Sequence, residues 1–239
     1  MRTVTVAAAA ALLAAMPAAA EHTEIIELEL EAEGLDRLEI ETGAGPMEIT
    51  GVAETDRIRV RAEIHFPDAE ADEAAEILAE QLRLTLERGV LAAELVAELR
   101  QIGWSTFWGE RPTLSVDVRV PERFAVEVED GSGSLAISDV RGDVDVEDGS
   151  GSLVLTRVGG TVEIDDGSGS LAVQNVGGDV VIEDGSGSLS VRDVAGSVTV
   201  DDGSGGITVT GVAGDLTVLD AGSGSLRFDD IGGEVDVRD

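Results

Sequence analysis

Cysteine, tyrosine and lysine are all missing from this chain, and aromatic residues make up only 3% of its 239 positions. Without cysteine there are no disulfides, no thiolate metal sites and no lipid attachment at a signal cysteine. Without lysine, all 16 basic residues are arginine; they stand against 49 acidic ones, for a formal net charge of −33. Such a surface repels nucleic acid and anionic lipid, because neither offers a counterion for carboxylates. Acidity of this kind keeps a protein soluble, or reflects a high-salt habitat in which screening shortens the repulsion. Four Phe and two Trp suit a thin aliphatic core better than a thick globular one. Long apolar runs are scarce too. The run Val4–Ala15 is shorter than the roughly 20 residues that span a bilayer, so no stable membrane insertion is expected.

That run has the layout of a secretion signal. Arg2 supplies the positive start, Pro17 breaks a helix, and Ala18-Ala19-Ala20 before Glu21 fits a small-residue cleavage site. Residues 1–20 are therefore expected to be a signal peptide. The chain is expected to be exported, to the periplasm or the cell surface. Arg2 is the only charged residue in that segment, so its removal would move the formal charge from −33 to −34.

What the chain has in abundance is self-similarity. The string from Val126 to Asp143 returns at residues 144, 162, 180, 198 and 216, a spacing of 18 each time. The sixth copy gains Ala221, and a seventh begins at Val235. This period is too short for a helical repeat pair or a propeller blade. Within a copy, Val126 and Val128, then Leu135 and Ile137, alternate as in half-buried strands. Asp130-Gly131-Ser132-Gly133 is turn chemistry, and Gly142 marks a second corner. Each copy thus predicts one coil of an all-β, right-handed parallel β-solenoid. A single coil has about five inward residues and cannot bury them alone. Stacking the next coil about 4.8 Å away pairs the strands and continues the core.

The template appears once earlier, at Leu38–Val52. The solenoid is accordingly expected to start near residue 24, with residues 53–125 interrupting it. Within the insert, Arg57–Phe66 predicts a strand and Pro67–Glu80 a helix. Leu82–Leu99 predicts a hairpin turning at Arg88-Gly89, and Leu114–Pro121 leads back to the coils. Three segments result: a signal at 1–20, an N-terminal segment at 21–125 with the first coil and an α/β cap, and regular coils at 126–239. With its repeated Gly-Ser-Gly, preceded by an opening coil, a helix, a strand pair and a strand ending in Val120-Pro121, most of residues 24–239 resembles the bacterial "putative adhesin" family of domains of unknown function. The resemblance implies an exported or envelope-associated β-solenoid and carries no active-site residues with it. Ser134 stands where relatives often place Asp.

Two constellations could carry chemistry. Glu129-Asp130, Glu147-Asp148, Asp165-Asp166, Glu183-Asp184 and Asp201-Asp202 should stack in two files at one corner. Like charges 4.8 Å apart repel by about 1 kcal/mol in water. A divalent ion such as Ca²⁺ would relieve this; otherwise the files form a solvated face with Asp capping the turn. The calcium-binding nonapeptide repeat is excluded, because Leu135, Leu153, Leu171 and Leu189 occupy its Asp position. Second, Trp104, Phe107 and Trp108 cluster in one loop. They either contact a partner, such as an envelope protein or surface glycan, or plug the first coil. His22 and His65 are far apart and lack ligand spacing, and no His or Lys neighbours the repeat serines to activate them. No enzyme activity and no cofactor are expected, apart from that possible Ca²⁺. A structural or interaction protein is the leading reading, and a cation-responsive binding module the alternative. At the far end, alternating Asp236 and Arg238 are expected to discourage edge pairing, leaving a monomer or weak end-to-end association.

Overall fold

The computed structural model describes residues 21–67, 69–100 and 111–238; the signal-like segment and the stretch from Trp104 to Trp108 lie outside them. From Ala125 onward the chain winds as a parallel β-solenoid. β7 (Ala125–Ser138) is followed by β8 (Val144–Asp148) and β9 (Gly151–Val158), then β10 (Val162–Asp166) and β11 (Gly169–Val176). β12 (Val180–Asp184), β13 (Gly187–Val194), β14 (Val198–Asp202), β15 (Gly205–Val212), β16 (Leu216–Asp220), β17 (Ser225–Ile231) and β18 (Val235–Val237) complete it. Even-numbered strands from β8 stack on one another, and odd-numbered strands do the same. Register follows the repeat: Val162 lies beside Val144 and Val180, and Leu171 beside Leu153 and Leu189. The 18-residue period is therefore one turn of the coil.

The core is the sum of these ladders. In the coil 144–161, Val144, Val146, Leu153, Leu155 and Val158 are buried, while Asp145, Glu147 and Val154 face out. Each coil also turns through one left-handed residue at a fixed place, Asp139, Arg157, Asn175, Asp193, Gly211 and Asp230, with φ between 56° and 71°. The second glycine of each Gly-Ser-Gly is constrained more tightly. Gly151, Gly169 and Gly187 have φ of 140–146°, and a Cβ there would overlap the carbonyl oxygen of the equivalent glycine one coil back. Only glycine permits both the angle and the approach.

The N-terminal region is built otherwise. β2 (Arg37–Val52) stacks in parallel on β7 from Arg37↔Ala125 to Thr50↔Ser138. On its other edge lie β5 (Ala92–Leu99) and β6 (Thr113–Pro121), both parallel to it. Beyond them the pairing becomes antiparallel. β4 (Leu82–Arg88) joins β5, β3 (Arg57–Phe66) joins β6, and β1 (His22–Glu31) joins β3. The expected start of coiling near residue 24 is thus corrected: β1 is the outer strand of an antiparallel layer, and stacking starts at Arg37. The helix α1 (Ala71–Gln81) begins later than Pro67, with Glu70 as an N-cap lacking a side-chain hydrogen bond. Ala74 is buried and Leu78 packs partly against the core. The expected hairpin at Arg88-Gly89 is present.

Candidate functional site

The acidic corner lies where the short strand of each coil meets Gly-Ser-Gly. Parallel register builds two files there. Glu129, Glu147, Asp165, Glu183 and Asp201 form the outer one, exposed to solvent. The file extends back to Glu41 in β2, and a shallow groove along it is lined by Glu41, Glu98, Glu129, Glu147 and Asp165. The inner file is Asp130, Asp148, Asp166, Asp184 and Asp202. These five are 0–6% exposed, and they are the buried charged residues among those described. The expectation of a solvated face holds for the outer file and fails for the inner. Its cause is period two: Asp130 falls in phase with Val126 and Val128, so it points into the core.

Four of the five inner carboxylates have one regular job. Asp148 Oδ1 accepts the Ser150 N–H at 3.0 Å, and Asp166, Asp184 and Asp202 do the same for Ser168, Ser186 and Ser204. This closes the Asx turn that starts the corner. The remaining oxygens are less well provided for: Oδ2 of Asp148, Asp184 and Asp202 and both oxygens of Asp130 are buried without a hydrogen-bond partner. Burial pushes the carboxyl groups up, and for Asp130, Asp166 and Asp184 the next carboxylate in the file adds to it. Asp184 rises to about 6, by burial and then by Asp166 and Asp202, against the pull of the Ser186 amide. Asp130 also rises to about 6, by burial and then by Asp148. Burial is likewise the first cause for Asp148, Asp166 and Asp202, all raised. A carboxyl near 6 can hold a proton close to neutrality, so that neutral and ionised carboxyl groups can alternate along the file. That arrangement relieves repulsion without an ion. Among the described residues, no group of three or more His, Cys, Asp or Glu converges as metal ligands would.

The opposite corner uses side chains as extra rungs, which sequence reasoning missed. Asp143 Oδ1 accepts the Thr161 N–H at 2.7 Å and the Thr161 hydroxyl at 2.9 Å, one coil on. Asp179 accepts from Ser197, and Asp215 from Glu234, each at 2.7 Å. At the left-handed corner, Arg157 binds Asp139 through two hydrogen bonds of 2.6 and 2.7 Å. The 18-residue offset was the available signal, since equivalent positions in adjacent coils must touch. His22 and His65 are far apart in the chain, but strand pairing brings them to neighbouring rungs: His22 opposite Phe66 and His65 opposite Thr23. The predicted aromatic contact residues Trp104, Phe107 and Trp108 fall outside the described residues. No described helix is long and apolar enough to cross a membrane.

No protein-family model matches the chain, and no curated protein matches it. It is similar to several solved structures. One is described as a "putative cell adhesion protein" from Clostridium sporogenes, at 13% identity over 79% of this chain and 98% of that one, with a TM-score of 0.47. Another, a "putative adhesin" from Bacteroides fragilis, is 10% identical over 90% of this chain and 97% of that one, with a TM-score of 0.40. A third, a "putative lipid binding protein" from Parabacteroides distasonis, is 14% identical over 91% and 94%, with a TM-score of 0.39. The adhesin descriptions coincide with the group that the repeat motifs resemble. The assignment of the fold rests on strand register, independently of these likenesses.

Proposed function

We propose that the chain is an exported, non-enzymatic interaction protein of the bacterial envelope, a stiff acidic rod whose outward faces meet an envelope protein or a surface glycan. The observation that carries this reading is the continuous in-register stacking of the odd-numbered strands from β7 to β17. Long, repetitive, loop-poor faces serve contact rather than catalysis. Export rests on the layout of residues 1–20. The aromatic cluster Trp104, Phe107 and Trp108 is the proposed contact point, because large aromatics dominate protein interfaces. Capture from envelope extracts tests this. The unmodified chain should retain a partner that the Trp104→Ala/Trp108→Ala variant loses. Equal recovery by both removes the aromatic residues from the reading, and no recovery by either removes the partner.

The unpartnered inner carboxylate oxygens favour one second reading, a module that responds to divalent cations. Binding to the native state must raise its stability. A melting temperature that is the same in millimolar Ca²⁺ and in chelator eliminates this reading.

A further inference from the structure

The last coil repeats the inward positions of its predecessors, but no described residue covers them. Phe228 occupies the place of Val209, and Val237 that of Val218. The two valines are fully buried, whereas Phe228 is 46% and Val237 42% exposed. Backbone direction at this edge follows from the ladder. Arg238 donates to Val218 O and Glu234 O accepts from Leu216 N–H, so Glu234, Asp236 and Arg238 pair backward. Val235 and Val237 are left facing the open edge. In β17 the parity comes from earlier coils: Gly151, Gly169 and Gly187 all donate forward, to Ser168, Ser186 and Ser204. Gly224 is the equivalent glycine, stacked on Gly205, so Leu226 and Phe228 face the open edge as well.

Charge is arranged around these two residues in mirror order. Phe228 sits between Arg227 and Asp229, and Val237 between Asp236 and Arg238. All four charged residues are exposed and at outward positions. Consider two such edges meeting antiparallel about a two-fold axis through Phe228. Phe228 then exchanges both backbone hydrogen bonds with its copy, as only an edge-facing residue can. Arg227 of each copy falls directly opposite Asp229 of the other, at the closer, non-hydrogen-bonded spacing. The same holds in β18, with Val237 on the axis and Asp236 opposite Arg238. One axis can serve both strands. Phe228 lies four residues before Gly232, and Val237 four residues after Gly233, so both stand equally far from the corner that joins them.

We propose that the β17–β18 edge is an isologous docking surface for a second copy of this chain, joining two solenoids end to end through a continuous core and four cross-strand ion pairs. A two-fold interface has to be self-complementary, and both strands meet that condition independently. The alternation of charge that discourages random edge pairing here selects one partner and one register. The inference does not depend on export or on an envelope partner. Sedimentation velocity and small-angle scattering of the full chain at about 0.15 M salt, where net charge is screened beyond about 8 Å, test it. The expected result is a dimer with close to twice the monomer's longest dimension. A variant with an all-acidic edge (Arg227→Asp/Arg238→Asp) and one with an all-arginine edge (Asp229→Arg/Asp236→Arg) should each be monomeric, and mixing them should restore the dimer. A monomeric unmodified chain overturns the proposal. So does a dimer that survives either variant, or a mixture that stays monomeric while both variants keep the parent's circular dichroism.

Discussion

The two ends of the coil stack differ sharply. At the N-terminal end, the outer edge of β2 is taken up by β5 and β6, and behind them come the antiparallel strands β3, β4 and β1. Leu38, Ile40 and Ile49 in that first coil are 0–4% exposed. At the C-terminal end, equivalent inward positions at Phe228, Val235 and Val237 stand 37–46% exposed. The same repeat chemistry thus gives a closed core at one end and an open one at the other. A solenoid coil is stabilised by its neighbours more than by itself, so each position's contribution should depend on how many coils flank it.

The strongest way to break that comparison is inside the stack. Gly169→Ala places a methyl group against the Gly151 carbonyl at a φ of 144°, and no flexible neighbour can yield. We expect a loss of more than about 3 kcal/mol, seen as a large drop in the thermal midpoint by circular dichroism. The control is Gly206→Ser, which restores the residue found in the other coils where the nearest atom to a Cβ is Ser225 Oγ at 3.6 Å; it should be close to neutral.

A core truncation sharpens the contrast between middle and end. Ile182 is fully buried between Ile164 and Val200, so Ile182→Ala should cost about 2–5 kcal/mol. Phe228→Ala at the open end should cost under about 1 kcal/mol in the monomer. Denaturant unfolding compares the two; equal losses would mean that the last coil is as well supported as the one that holds Ile182.

The smallest expected effect concerns pH. Asp130 and Asp184 titrate near 6 in the folded chain, above the 3.8 of an unperturbed Asp. Between those values the folded state holds more protons than the unfolded one. Stability should therefore rise as pH falls through about 6 and level off near 3.8. Asp139, lowered chiefly by its hydrogen bonds from Arg157, opposes this only at the acid end of the range. Asp184→Asn keeps an oxygen acceptor for the Ser186 amide and removes the charge. It should raise the melting temperature at pH 8 and flatten its rise between pH 8 and 5. A parent chain that melts higher at pH 8 than at pH 5 would refute the buried-file account.

Much of this architecture was legible in the residues. The 18-residue period, the alternation of Val126, Val128, Leu135 and Ile137, and the recurring Gly-Ser-Gly suffice for coil length, stacking register and the in-line aliphatic ladders. The copy at Leu38–Val52 was equally legible, because the same template recurs there. The inner aspartates were misjudged for a physical reason. Asp next to Gly signals a turn, and that local signal masked the period-two phase that carries Asp130 inward. The side-chain rungs of Asp143, Asp179 and Asp215 involve residues 18 or 19 apart, so no local pattern announces them. β1 reads as alternating, like a coil strand, yet alternation does not say whether the neighbour runs parallel or antiparallel.

Periodicity alone determined the coil, since any residue that recurs every 18 positions must land on its own copy once the backbone closes a turn. Tertiary structure alone decided what lies at the boundaries: which carboxylates the corner draws out of water, which strands seal the first edge, and which residues the last edge leaves bare. The reason is that a repeat specifies the contacts between identical neighbours, whereas burial, desolvation and edge exposure depend on whether a neighbour is present at all.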